Sequence, residues 1–352
     1  MNLKFKPDLF SKSSFRKNKI IKKKEQKEIL RILNYFFKIL PKNKISKIKK
    51  IDALGISSNN YFFKFKKKNY VLKKYLNRDK NSLEKIANIM DWLKSKKVPV
   101  QKPIKTKKNK FTLESNKINW RLVEYIEGKT YSGSIKQFKN TSKTIAKMSK
   151  ILNKYPKKKL IEHKYFSKED FKIIDFMNKN QNKLNDYFGT TYASLLKKNW
   201  KFFLDSWRQL KNFKTDLGAK QLIHNDLHPH NLIIKNHKLK GILDWEACLL
   251  MPSGISLAYA GLKICKQTVI HNKKINPHHI GNEYKKIMKN FSPLDERVID
   301  NFYELSQIEV LRRLCMIFKS TILNKDKRWN KIIPIQLGHL YETIELFNEK
   351  KI

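Results

Sequence analysis

What the sequence lacks narrows its class first. It contains no run of about 18 apolar residues, so no transmembrane helix is expected. Its opening residues, Met1-Asn2-Leu3-Lys4-Phe5-Lys6-Pro7-Asp8, hold no apolar core of a secretory signal. The three cysteines, Cys248, Cys265 and Cys315, are scattered and form no Cys-x-x-Cys pair, which points to a reduced, cytoplasmic protein. Acidic residues number 30 against 78 basic ones, a formal net charge of +48. That balance invites a nucleic-acid reading, but arginine is scarce too. Nine of the basic residues are arginine and 69 are lysine, and arginine carries the planar fork that phosphates and bases favour. The lysines run through the whole length rather than along one stripe. With Asn, Ile and Phe abundant and only 10 glycines, the composition reads as AT-driven surface drift. No specific nucleic-acid partner is expected.

What is present suffices for a folded protein. Hydrophobic residues make up 40% of the 352, enough for a core and for two domains. Residues 1–44 read as a polar, basic tail to about residue 23 followed by a helix. Ile29, Leu30, Ile32, Leu33, Phe36, Phe37, Ile39 and Leu40 recur at helical spacing and Pro41 closes the pattern. Packing on the next domain is the expected role; a membrane-surface helix is the alternative.

Residues 45–126 are strand-rich, and a five-stranded antiparallel sheet is expected within about 45–123. Ile45 to Leu54 is one strand. Gly55-Ile56-Ser57-Ser58-Asn59-Asn60 is a turn of small residues, and Tyr61 to Phe65 returns. After a turn at Lys66–Asn69 comes Tyr70-Val71-Leu72-Lys73, whose period of two puts Val71 and Lys73 on one face. Ser82 to Lys96 reads as a helix with a buried stripe of Ile86, Ile89, Met90 and Leu93, and with Glu84 in its first turns. Ile118 to Ile126 is the last strand, broken by Glu127-Gly128. Residues 127–352 are mainly helical, with apolar helical spacing at 253–270, 295–324 and 336–349. A sheet-rich first part and a helical second part make an α+β, two-lobed plan.

The most informative stretch interrupts the helical part. It is His224-Asn225-Asp226-Leu227-His228-Pro229-His230-Asn231, followed by Leu243-Asp244-Trp245-Glu246. Asp226 can accept or orient a hydroxyl proton. Asn231 and Asp244 offer hard oxygen ligands of the kind Mg²⁺ takes beside substrate phosphates. Leu222-Ile223 and Leu232-Ile233-Ile234 read as strands around a turn, and Leu239 to Leu243 as the return of a hairpin across Lys235–Lys238.

In this order, loop glycine, strand lysine, helix glutamate, linker strand, His-x-Asp-x-x-x-x-Asn and Asp-Trp-Glu, the chain resembles the aminoglycoside phosphotransferase/choline kinase family. The similarity spans about residues 45–345. It implies a protein-kinase-like fold with ATP and Mg²⁺ as cofactors, bound in a cleft between the lobes. It further implies transfer of the γ-phosphoryl group to a hydroxyl of a small molecule. By the same resemblance Asp226 is the catalytic aspartate, and Asn231 and Asp244 are the metal ligands. Lys73 reaches the ATP phosphates with Glu84 as its partner. Gly55, Ser57, Ser58 and Asn59 form the phosphate loop. Glu124 and Ile126 hold the adenine edge, His224 packs and hydrogen-bonds the catalytic loop, and His228 is a further family position supporting the site. The chain departs from the family in three places. Asn225 stands where a glycine is usual, the phosphate loop has a single glycine, and Ile255-Ser256-Leu257-Ala258 replaces an Asp-Leu-Ala helix start.

Other classes compete. His224, Asp226, His228 and His230 could be taken for a zinc cluster, but Pro229 prevents a regular helix from presenting them together. A catalytically silent kinase-like module would be expected to lack the Asp, Asn or Lys, and all three are here. A protein kinase would carry an Ala-Pro-Glu element after Asp244, and none follows. The acceptor stays open among choline or ethanolamine, sugars and amino sugars, and homoserine-like compounds. The positive balance disfavours a polycationic one. Trp200, Trp207, Trp245, Tyr259 and Trp329 are candidate aromatic walls for a quaternary amine, with core packing as their ordinary role.

Overall fold

The computed structural model describes Phe5 and residues 18–37, 45, 47–51, 58–76, 78–156, 167–211 and 216–348. Gly55, Ser57 and Pro41 lie outside the described residues. In chain order the first elements are β1 (Asn18–Ile20), α1 (Lys23–Leu33), β2 (Lys49–Ile51), β3 (Ser58–Phe65), β4 (Lys68–Tyr75) and α2 (Lys80–Ser95). Then come β5 (Pro103–Ile104), β6 (Thr112–Ser115), β7 (Ile118–Glu124), β8 (Lys129–Thr130), α3 (Ile135–Leu152), α4 (Lys168–Lys179), α5 (Leu184–Phe188) and α6 (Thr190–Lys211). The stretch around Asp226 and Asp244 supplies β9 (Lys220–His224), β10 (Leu232–Lys235), β11 (Lys238–Ile242) and β12 (Cys248–Pro252). The chain closes with α7 (Ser253–His271), α8 (Pro277–Phe291), α9 (Glu296–Asp300), α10 (Phe302–Ile322) and α11 (Ile333–Phe347).

These elements gather into two compact units. One is Leu9–Tyr131 with His230–Ala247; the other is Met1–Asp8, Ser132–Pro229 and Cys248–Ile352. The division differs from boundaries at 44 and 126, because β10 and β11 join the sheet-rich unit. There β10 pairs with both β11 and β8, and the Ile242 amide donates to the Pro99 carbonyl at 2.7 Å. Gly128 permits this approach: a Cβ there would meet the Ile234 carbonyl oxygen at 2.5 Å, and its φ is +151°.

Among the described residues the main sheet of the sheet-rich unit is antiparallel and has seven strands in the order β1-β2-β3-β4-β7-β5 with β6 also on β7, six of them (β2 to β7) in the region where five were expected. β5 and β6 share the far edge of β7. At the other edge β1, from the segment read as tail, pairs with β2. A three-residue strand is too short for a period-two pattern to reveal it. Glycine scarcity shows in the hairpins. Lys66-Lys67, Asn116-Lys117 and Asn236-His237 each place two non-glycine residues at positive φ, the backbone of a type I′ turn.

α1 packs its apolar stripe into the sheet. Ile29, Ile32 and Leu33 join Tyr61, Phe63, Phe65, Tyr70, Leu72, Trp120 and Leu122 in one core cluster. A stripe so buried is not free for a lipid surface. On β4, Tyr70 and Leu72 face that cluster, so Val71, Lys73 and Tyr75 face the opposite way, as the alternation predicts. α2 starts earlier than its pattern suggests, capped by Asp79, which accepts from the Ser82 amide at 2.7 Å.

In the helical unit α7 and α10 are buried along nearly their whole length. β9 pairs antiparallel with β12, with His224 opposite Cys248. No sequence expectation covered β12. Among the described residues no helix is long and apolar enough to cross a membrane.

Candidate functional site

The helical unit holds Asp226 in the turn after β9. His224 ends that strand, and its Nδ1 accepts the Asp226 amide at 3.2 Å. Its carbonyl accepts the Ser256 hydroxyl at 3.2 Å. Ser256, in the first turn of α7, thus ties down the end of β9, at the place where the sequence departs from an Asp-Leu-Ala helix start. Asn225 is not at positive φ, so it does not replace glycine for its conformational freedom. Its side-chain amide donates to buried Glu309 at 3.1 Å.

An imidazole and a guanidinium flank the Asp226 carboxylate. His228 Nε2 lies 3.2 Å from Oδ2, and Arg313 Nη1 lies 3.3 Å from Oδ1. Burial alone would raise the Asp226 pKa, but His228, Arg313 and His224 outweigh it and hold the group well below the usual carboxylate range. Asp226 is therefore ionised at neutral pH. Arg313 is fixed in turn. Its Nε donates to Glu309 at 2.8 Å, its Nη2 donates to the Asn225 carbonyl, and its guanidinium lies 4.4 Å over the Tyr259 ring. Glu309 also binds Arg312 at 2.7 Å. Sequence reasoning missed Arg313 and Glu309. The available signal was a charged i, i+3, i+4 set inside an apolar helical stretch.

The sheet-rich unit holds a second cluster, around Lys73. The amine is 3.2 Å from Asp244 Oδ1 and 3.3 Å from Glu246 Oε1. Asp244 follows β11 with φ of +57°. The loop is tied on both sides of it: the Leu243 amide donates to the Asn231 carbonyl at 2.8 Å, and the Ala247 amide to the Asp244 carbonyl at 3.1 Å. Glu246 Oε1 also meets Arg121 Nη1 at 3.1 Å and accepts the Tyr75 hydroxyl. Burial works against the Lys73 ammonium, but Glu246 and Asp244 more than offset it, so its pKa lies above the usual lysine range. Burial likewise opposes the Glu246 carboxylate, while Lys73, Arg121 and the Tyr75 hydroxyl hold its pKa low.

Glu84 is not the partner of Lys73. Its two carboxylate oxygens accept the Phe111 amide at 3.0 Å and the Thr112 amide at 2.8 Å. It lies where α2 meets the start of β6, and those N–H groups engage both of its oxygens. Ser58 and Asn59 are strand residues, paired with Tyr75 and Lys74. The Glu124 amide donates to the Lys102 carbonyl at 2.9 Å, and Ile126 packs over Gly241, where a Cβ would meet its Cδ1 at 2.5 Å.

The aromatic candidates divide. Trp245 is buried and donates to the Ile242 carbonyl at 3.0 Å, so it is core, not a wall for an acceptor. Trp200 is buried and bound to Asn178 at 2.9 Å, and Trp207 packs edge-on to Phe171. Trp329 is exposed. Tyr259 alone is beside the Asp226 group, through Arg313.

Among the described residues no group of three or more His, Cys, Asp or Glu is placed to hold a metal, so His224, Asp226, His228 and His230 do not form one. Asp244, with a side chain 60% exposed, and Asn231 are hard oxygen donors. One carboxylate with one amide suits a cation that takes its remaining ligands from phosphates and water, as Mg²⁺ does.

The α+β arrangement, with an antiparallel sheet unit and a helical unit, is that of the protein-kinase-like fold. The model of the phosphotransferase enzyme family APH matches residues 49–268, and the chain belongs to that family. Comparison with curated protein sequences gave no match. Solved structures with this fold include a spectinomycin phosphotransferase, APH(9)-Ia, in complex with ADP and spectinomycin. Its TM-score is 0.62 at 16% identity, over 90% of this chain and 93% of that one. Amicoumacin kinase hAmiN, in complex with AMP-PNP, Ca²⁺ and Ami, gives a TM-score of 0.62 at 12% identity, over 93% and 98%. An aminoglycoside phosphotransferase from Alicyclobacillus acidocaldarius subsp. acidocaldarius DSM 446 gives 0.61 at 10%, over 87% and 93%.

Proposed function

We propose that this chain transfers the γ-phosphoryl group of ATP, taken as its Mg²⁺ complex, to a hydroxyl of a small molecule. The observation that carries this reading is the Lys73–Asp244 ion pair of 3.2 Å, joining residues 171 apart in the sequence. A nucleotide kinase needs that combination, a cation for the phosphates beside a carboxylate for the metal.

Each residue then has a part. Lys73 binds the α- and β-phosphates, and Asp244 and Asn231 would hold Mg²⁺. When bound, the ion neutralises charge on the β- and γ-phosphate oxygens. Gly55, Ser57, Ser58 and Asn59 contribute to the phosphate loop. Glu124 and Ile126 offer backbone groups to the adenine edge. Asp226 orients the acceptor hydroxyl and receives its proton, with His228 and Arg313 keeping the carboxylate in place. A carboxylate held this strongly ionised is a weak base. It suits a loose transition state, in which the proton leaves late and positioning matters more than proton affinity.

The acceptor is a small hydroxyl compound such as choline or ethanolamine, a sugar or amino sugar, or a homoserine-like molecule. Arg313 beside Asp226 adds local positive charge, which disfavours a polycation. Spectinomycin, hygromycin B and amicoumacin belong in the test because structural neighbours are described with them. The experiment is ADP release measured across these compounds with Mg·ATP. Saturable, acceptor-dependent release supports the reading; ADP release by none of them contradicts it.

A further inference from the structure

We propose that Glu246 is the residue that positions Lys73 for the nucleotide phosphates, in place of a glutamate on α2. The proposal rests on the functional reading above for what Lys73 binds, and on geometry alone for what holds Lys73.

Lys73 and Arg121 are two cations inside the sheet-rich unit, with side chains 9% and 0% exposed. A buried charge persists only when it is paired and hydrogen-bonded. Glu246 meets both. Its Oε1 is 3.3 Å from the Lys73 amine and 3.1 Å from Arg121 Nη1, and it accepts the Tyr75 hydroxyl; Oε2 is 3.5 Å from Lys73. Its backbone is held too, because Arg78 Nη1 donates to its carbonyl at 3.4 Å. Tyr75 and Lys73 share one face of β4, and Arg121 is the register partner of Lys73 on β7. Two adjacent strands therefore aim three donors at one carboxylate.

The other two candidate partners are unsuited. Asp244 is 60% exposed where Glu246 is 11% exposed, and its proposed work is to hold a divalent cation. A carboxylate shared with a metal is a poor permanent anchor for an ammonium. Glu84 has both oxygens on the Phe111 and Thr112 amides. Glu246 thus remains as the anchor when Asp244 is engaged elsewhere. The third residue of Asp244-Trp245-Glu246 carries out what a helix glutamate was expected to do.

The test is a double-mutant cycle on thermal stability without nucleotide, paired with steady-state kinetics. Glu246→Gln leaves Lys73 and Arg121 facing each other with less compensation and should lower the melting temperature. Adding Lys73→Met should recover part of that loss. The same cycle between Lys73→Met and Glu84→Gln should be additive. With Mg·ATP, Glu246→Gln should raise the KM for ATP by roughly tenfold or more while leaving the acceptor KM unchanged, a split that a merely unstable protein would not give. Additive effects of Lys73→Met and Glu246→Gln, or coupling between Lys73 and Glu84, would overturn the proposal. So would a changed Mg²⁺ requirement in Glu246→Gln without coupling to Lys73, which would make Glu246 a metal ligand. Wild-type protein that fails to take ATP would overturn the functional reading and the phosphate role together, while the cycle still decides which residue holds Lys73.

Discussion

Replacing Asp226 by Asn separates chemistry from folding. Asn keeps an oxygen acceptor for Arg313 and removes one negative charge from a group that now meets His228 and Arg313 at 3.2 and 3.3 Å. Arg313 still has Glu309 at 2.8 Å, so the network survives and the variant should fold, although removing a charge held this far below its usual pKa should lower stability at neutral pH. Turnover should not survive. Loss of acid–base and orienting help costs about 10²–10⁴ in rate, which is roughly 2.7–5.4 kcal/mol of barrier. The direction of the Asp226 pKa adds a second, sharper expectation. A carboxyl held below its usual value of 3.8 stays ionised across the working range, so the wild-type kcat should show no acidic limb from this residue at pH 5 and above. The assay is kcat against pH for wild type and variant, with the melting temperature of each. Near wild-type turnover in Asp226→Asn refutes the assignment. A limb near pH 6 assignable to Asp226 refutes the electrostatic argument.

Asp244→Ala removes the exposed carboxylate proposed for the metal, so the rise in melting temperature that Mg·ATP gives the wild type should vanish in the variant; differential scanning fluorimetry reads this. Asp170 accepts from Ser167 and pairs with Lys319 at 2.7 Å. Burial opposes its charge, but these partners lower its pKa below 3.8. Its contribution is therefore present above about pH 4 and is lost as pH falls through the lower folded-state value. Asp170→Asn should cost roughly 1–2 kcal/mol at pH 7, the usual worth of a cap with a charged partner, and progressively less as pH falls below the usual carboxylate range, as measured by urea denaturation. Lys67→Gly relieves a left-handed residue in the β3–β4 turn, worth about 1–2 kcal/mol. Extra freedom in the unfolded chain returns about 0.4–1 kcal/mol, so the variant should be more stable by roughly 0.5–1 kcal/mol in the same measurement.

The parts legible in the sequence were those set by local pattern. The apolar stripes of α1 and α2, the β3–β4 hairpin, and the inward face of β4 that carries Lys73 follow from periodicity. The motif from His224 to Asn231 and the Asp244 that follows it follow from residue types at fixed spacing. What was not legible depended on partners far away in the chain. The three residues of β1 make a strand only because β2 lies beside them. Glu84 and Glu246 are both glutamates near turns, and nothing local says which one meets Lys73. Packing decided, by giving Glu84 two backbone amides and Glu246 two buried cations. One signal was available: Arg121 sits inside the apolar run Trp120-Arg121-Leu122-Val123, and a charge in such a strand requires a buried counter-ion. The same reasoning applies to Glu309 on α10, whose partners are Arg312, Arg313 and Asn225.

The most direct test of the central claim follows the label. The protein is incubated with Mg²⁺, ATP labelled with ³²P at the γ-position and each candidate acceptor, and the products are separated into nucleotide, small molecule and protein. The account predicts label in one small hydroxyl compound, transferred by the wild type and lost in Asp226→Asn. Label in protein alone, or label that never leaves ATP with any acceptor, would contradict it.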